Sequence, residues 1–97
     1  MKKMNESTRD EIITNMAENL PLLRMKSGFT QEKLAEMIGI SRQTLVAIEN
    51  KKRQMPWNTF LACLLVFNQN NDTKKLMELY GIYTEELSDY LGTKDGD

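Results

Sequence analysis

The sequence predicts an all-α protein, a compact bundle of five to six short helices. Three observations point there. Apolar residues recur at helical spacing along nearly the whole chain. Capping residues stand in front of these stretches and glycines behind them. Period-two β-branched clusters, and hairpin turns flanked by them, are absent. At 97 residues the chain has the length of one small domain with one core.

The elements follow in order. Met1 to Ser7 is polar and expected to fray. Thr8 and Glu11 form a capping-box pattern before Ile12, Ile13, Met16 and Ala17, and Leu20, Leu23 and Met25 continue the apolar side. Pro21 lacks an N–H, which predicts a break near Asn19–Leu20 and a second helix reaching Lys26. Gly28 supplies a left-handed stop. Thr30 caps a helix from Gln31 to Ile38, and Gly39 ends it. Ser41 caps the next, Arg42 to Glu49, which turns Leu45 and Ile48 inward. Asn50 to Met55 reads as a polar, basic loop. Pro56 opens a helix that is apolar on nearly every side, through Phe67. Asp72 is expected to cap a helix reaching Tyr80, closed by Gly81. Thr84 is expected to cap a last one carrying Leu87, Tyr90 and Leu91, closed by Gly92, with disorder from Thr93 to Asp97. This divides the chain into an N-terminal tail and short helix (1–19), a central unit (20–70) and an acidic helical tail (71–97), which packs on the core or dimerises.

Composition excludes several functions. With no histidine and one cysteine, there is no Cys/His zinc site, no imidazole-based triad and no internal disulfide. No glycine loop for phosphates and no defensible acid/base pair is present, so no enzyme, metal or cofactor is expected, and no small-molecule ligand is evident. No apolar segment follows the basic start, and the longest apolar run, Phe60 to Phe67, is far below the roughly 20 residues that span a bilayer. A cytoplasmic protein with no membrane partner is expected.

The net charge of -1 at first argues against nucleic acid. Resolved along the chain, it divides. Residues 24–53 carry seven cations against Glu32, Glu36 and Glu49. Residues 72–97 carry seven carboxylates against Lys74, Lys75 and Lys94. A basic middle and an acidic tail are a modest partner signal, since solvated helix faces produce the same count.

The stretch Gln31 to Asn50 carries more. Two helices joined by a tight turn make a helix-turn-helix candidate. Their crossing needs a small residue, and Ala35 stands there. The turn needs a residue that tolerates positive φ, and Gly39 stands there. The packed faces need apolar residues, and Leu34, Ile38, Ile40, Leu45 and Ile48 supply them.

From Leu20 to about Phe67 the chain resembles the phage-repressor/Cro-type, or XRE-type, helix-turn-helix regulators. The match is carried by Arg24-Met-Lys-Ser-Gly-Phe-Thr-Gln-Glu-Lys-Leu-Ala, by Ile40-Ser-Arg-Gln-Thr-Leu-Val-Ala-Ile-Glu-Asn, and by Lys51-Lys-Arg before Pro56. The resemblance implies a lambda-repressor-like DNA-binding domain. The family often has glycine where Lys51 stands, so Asn50 is expected to take the left-handed conformation here. Pro21 shortens the usual first helix.

The N-terminal end of the second helix of such a unit enters the major groove, which points Ser41, Arg42 and Gln43 at base edges. Arg42 can bind guanine and Gln43 adenine, each bidentately. The resemblance places base reading on Arg42, Gln43 and Ala47, and Val46 adds a thymine-methyl contact. Phosphate contacts are expected from Gln31, Thr44, Asn50, Lys51, Lys52 and Arg53, with Thr30 a structural cap that touches phosphate incidentally. In the resembling family the positions of Arg24 and Glu49 form an internal ion pair, and that structural role is expected of both. Cys63 reads as inert core.

The leading expectation is thus a sequence-specific DNA-binding regulator of double-stranded DNA, most simply a repressor. A homodimer through the fourth helix and tail would let it read a near-palindromic operator with half-sites ~34 Å apart. The alternative is a protein-interaction or antitoxin-type accessory protein that keeps the same fold.

Overall fold

The computed structural model describes residues 4–92. Among them stand six helices and no strand: α1 (Glu6–Lys26), α2 (Gln31–Ile38), α3 (Arg42–Glu49), α4 (Trp57–Phe67), α5 (Asn71–Leu79) and α6 (Glu85–Gly92). The expected disorder of Thr93 to Asp97 lies outside the described residues.

The first helix corrects two expectations. Its cap is Asn5, whose Oδ1 accepts from the Thr8 N–H at 2.8 Å, so Ser7, expected to fray, and Thr8 and Glu11 all lie inside the helix; residues 1–3 lie outside the described residues. Asparagine in extended conformation is among the best N-caps, and it stands upstream of the weaker threonine. The helix also runs unbroken through Pro21. A mid-helix proline costs about 3 kcal/mol. Ile12, Met16, Leu20 and Leu23, on both sides of it, are buried on one face, and each contributes about 1.5–3 kcal/mol. Breaking the helix would put two of these out of register, so packing outweighs the proline. Met25 lies 200° round the helix from Leu23 and is exposed rather than part of that face.

The central unit forms as its caps dictate. Thr30 Oγ1 accepts from the Lys33 N–H at 3.0 Å, and Ser41 Oγ from the Thr44 N–H at 3.0 Å. Gly39 ends α2 at φ 80°, a conformation that strains any residue with a Cβ. Buried Ala35 lets α2 and α3 pack closely, with Leu34, Leu45 and Ile48 fully buried beneath.

Beyond it, Asn70 rather than Asp72 caps α5, its Oδ1 accepting from the Asp72 N–H at 2.7 Å and the Thr73 N–H at 3.4 Å. Asp72 lies in the first helical turn, where its charge suits the positive end of the helix dipole. The helix closes one residue early, with Tyr80 as C-cap and Gly81 at φ 70°. Thr84 Oγ1 accepts from the Leu87 N–H at 3.1 Å at the start of α6.

One apolar cluster runs through all of this, from Ile12 on α1 to Met77, Ile82 and Leu87 of the C-terminal segment. Met55 joins it from the loop expected to be polar. α4 is not buried all round: Phe60, Cys63, Leu64 and Phe67 face inward, while Leu65 is exposed. An aromatic clamp ties α1, α4 and α6 together. The Arg9 guanidinium lies 4.3 Å from the Trp57 ring centre and donates to the Tyr90 hydroxyl at 3.4 Å, and Trp57 stacks on Phe60 at 5.1 Å.

Burial pushes the Cys63 thiol up to about 12, with the nearby Glu49 charge adding to the effect. The folded state keeps this thiol neutral where an unfolded chain would ionise it. Its contribution to stability is therefore complete below about pH 9 and declines between there and pH 12. Native protein is expected not to react with Ellman's reagent at pH 8, and denatured protein to react at once.

Candidate nucleic-acid interface

Ser41, Arg42 and Gln43 begin α3 on an exposed corner of the molecule. Ser41 is turned into its own helix. Besides capping Thr44 N–H, its hydroxyl donates to Thr44 Oγ1 at 2.9 Å. This orders both hydroxyls and leaves Arg42 and Gln43 as the long polar groups pointing outward. Neither engages another described side chain. A guanidinium at a helix N-terminus is repelled by the dipole, so in the isolated protein this position is electrostatically unfavourable. One turn on, Val46 and Ala47 are half-buried. They present little beyond methyl groups.

Beside this corner lies a shallow polar hollow lined by Arg24, Thr30, Gln31, Glu32 and Arg42. Gln31 and Glu32 are in the first turn of α2, where backbone N–H groups lack intrahelical acceptors. The Gln31 side chain does not reach out: its Nε2 donates to Glu49 Oε1 at 2.9 Å. A phosphate contact from Gln31 would therefore use its backbone N–H.

Glu49 is the hub beneath the surface. Its side chain is only 4% exposed. Arg24 Nε donates to Oε2 at 2.8 Å and Nη2 to Oε1 at 3.3 Å, and Arg24 Nη1 donates to the Phe29 carbonyl at 3.0 Å. The fork ties the end of α1 to the end of α3 and to the start of α2. It fixes the angle at which α3 is presented. The Arg24 and Glu49 pairing was read from resemblance alone; Gln31 as third member was missed, and only its place in the first turn of α2 hinted at it.

The basic loop follows α3 directly. Asn50 closes the helix at φ -88°, and Lys51, not Asn50, takes the left-handed conformation at φ 61°. Its N–H donates to the Ile48 carbonyl at 3.0 Å and that of Lys52 to Ala47 at 2.9 Å, a C-terminal closure that needs positive φ at this one residue. A lysine there is strained by about 1 kcal/mol relative to glycine. Lys51, Lys52 and Arg53 are exposed and form no ion pair with a described residue. Lys51→Gly is expected to raise the unfolding free energy by about 1 kcal/mol in urea titrations.

A family model described as a helix-turn-helix domain matches residues 17–89. The chain belongs to the helix-turn-helix domain family. Comparison with curated proteins and with solved structures gives no significant match. The family match runs from the second half of α1 into α6. No described helix is long and apolar enough to cross a membrane.

Proposed function

We propose that this helix-turn-helix protein is a sequence-specific regulator of the XRE type that binds double-stranded DNA. The observation that carries the reading is the exposure of polar and cationic side chains at both ends of α3. Arg42 and Gln43 are exposed at the start of α3 beside the hollow at the N-terminus of α2, and Lys51 to Arg53, directly after α3, are exposed and pair with no described residue. Arg42 and Gln43 read bases, with Ala47 and Val46 offering methyl contacts. The Gln31 N–H, Asn50 and the loop cations hold phosphates, and Thr44 and Thr30 lie alongside them. The acidic tail lowers non-specific affinity, which leaves more of the binding to base contacts. A repressor is the simplest form, since occupancy of a site alone suffices for it.

A single recognition helix covers half of a typical operator, so the protein acts as a homodimer. Exposed Leu65 on α4, with Leu79 on α5 and Leu91 on α6, is apolar surface available to a second copy through the fourth helix and tail. The same surface favours the second reading, an antitoxin-type accessory protein with a different partner. Fluorescence anisotropy on a labelled duplex pool tests the DNA reading. Binding is expected to weaken steeply with salt, and Lys52→Ala to lower the slope by about one. Salt-independent binding, or none at low salt, would overturn it. Sedimentation at micromolar concentration showing only monomer would remove the dimer.

A further inference from the structure

A cleft of about 430 Å³ opens between the outer side of α1 and the loop after α3. That size is within the range of roughly 300–1,000 Å³ typical of small-molecule sites. Ile13, Ala17, Ile48 and Met55 give it an apolar floor. Asp10 and Glu18, two turns apart on α1 with Thr14 between them, contribute carboxylates. Lys51, Lys52 and Arg53 contribute cations. None of these five charges pairs with another described residue. Opposite charges that share a cleft without closing on each other leave room for a ligand that satisfies both. Lys51 points the same way, since it holds a strained φ of 61° at a turn where glycine would be unstrained and its side chain lines this cleft.

We propose that the cleft binds a short peptide with free termini. Its ammonium group sits against Asp10 and Glu18, its carboxylate against Lys51 to Arg53, and its apolar side chains over Ile13 and Ala17. A single amino acid carries both charges on one carbon and cannot serve separate sets of groups. Each added residue separates the termini by up to ~3.5 Å. The bound carboxylate occupies the cations assigned above to DNA phosphates, so the peptide competes with DNA. Only that coupling rests on the DNA reading; the binding itself does not.

The test is a titration of ¹⁵N-labelled full-length protein with the tripeptide Ala-Leu-Ala, up to about 10 mM, followed by amide shifts. Saturable shifts in residues 10–18 and 51–55 are expected with free termini and not with the N-acetylated, C-amidated form. The Asp10→Asn/Glu18→Gln double variant is expected to bind about tenfold more weakly, a few-fold for each exposed charge removed. Equal binding of the blocked peptide, shifts confined to other residues, or no saturable shift would overturn the proposal. Duplex binding measured in parallel separates the two readings. If the duplex binds and the peptide does not, the cleft fails alone. If the peptide binds and the duplex does not, the DNA reading fails alone.

Discussion

Arg24→Ala is expected to lower the unfolding free energy by about 3–5 kcal/mol. The Glu49 carboxylate is almost fully buried and accepts three hydrogen bonds, two from Arg24 and one from Gln31. Truncating Arg24 removes two of them together with the only cation paired with Glu49 among the described residues. A buried charge without its partner costs more than the intact pair contributes, because its desolvation is no longer compensated. It also releases the Phe29 carbonyl, which Arg24 Nη1 holds at 3.0 Å. Melting should drop by at least about 10 °C, as expected for a domain of this length. Arg24→Lys is expected to recover only part, since an ammonium cannot reproduce the two-pronged contact. Arg24→Ala/Glu49→Leu should recover more, because both charges leave together. An Arg24→Ala variant within about 0.5 kcal/mol of the parent would show that the fork does not hold α3 in place.

Arg42→Ala is expected to do the opposite: little to stability, much to recognition. Its side chain is exposed and engages no described residue, so the folded state loses no contact. It also removes a cation from a helix N-terminus, where the dipole opposes it. Stability should therefore stay within about 0.5 kcal/mol of the parent or rise slightly. On the proposed DNA complex it removes a bidentate base contact worth about 1–3 kcal/mol of discrimination at one base pair. A preference lost at one position, with others unchanged, separates base reading from a general charge effect. Lys52→Ala supplies the contrast, since a phosphate contact weakens all sequences alike.

The two-helix unit was the most legible part of the fold. Its turn, crossing and buried face each demand a residue type, and Gly39, Ala35 and Leu45 meet them in register. Caps at Thr30, Ser41 and Thr84 were readable for the same local reason. The continuity of α1 through Pro21 was not, because it is decided by the long-range burial of Met16, Leu20 and Leu23 rather than by the proline's neighbours. At the starts of α1 and α5, an asparagine upstream of the expected cap took the role. Side-chain direction was hidden too. Nothing local says that Gln31 turns toward Glu49, that Met55 folds inward from a polar loop, or that Leu65 and Leu79 face outward. The cleft beside Lys51 joins residues about forty positions apart and has no linear signature.

The proposed reading of DNA sequence by Arg42 and Gln43 at the start of α3 can be measured by selection from a randomised duplex library. The parent protein and Arg42→Ala would be carried through the same rounds at fixed salt. The parent is expected to enrich one motif containing a guanine, and Arg42→Ala the same motif with that position degenerate. Enrichment of an identical motif by both proteins would contradict that reading, as would no enrichment by the parent.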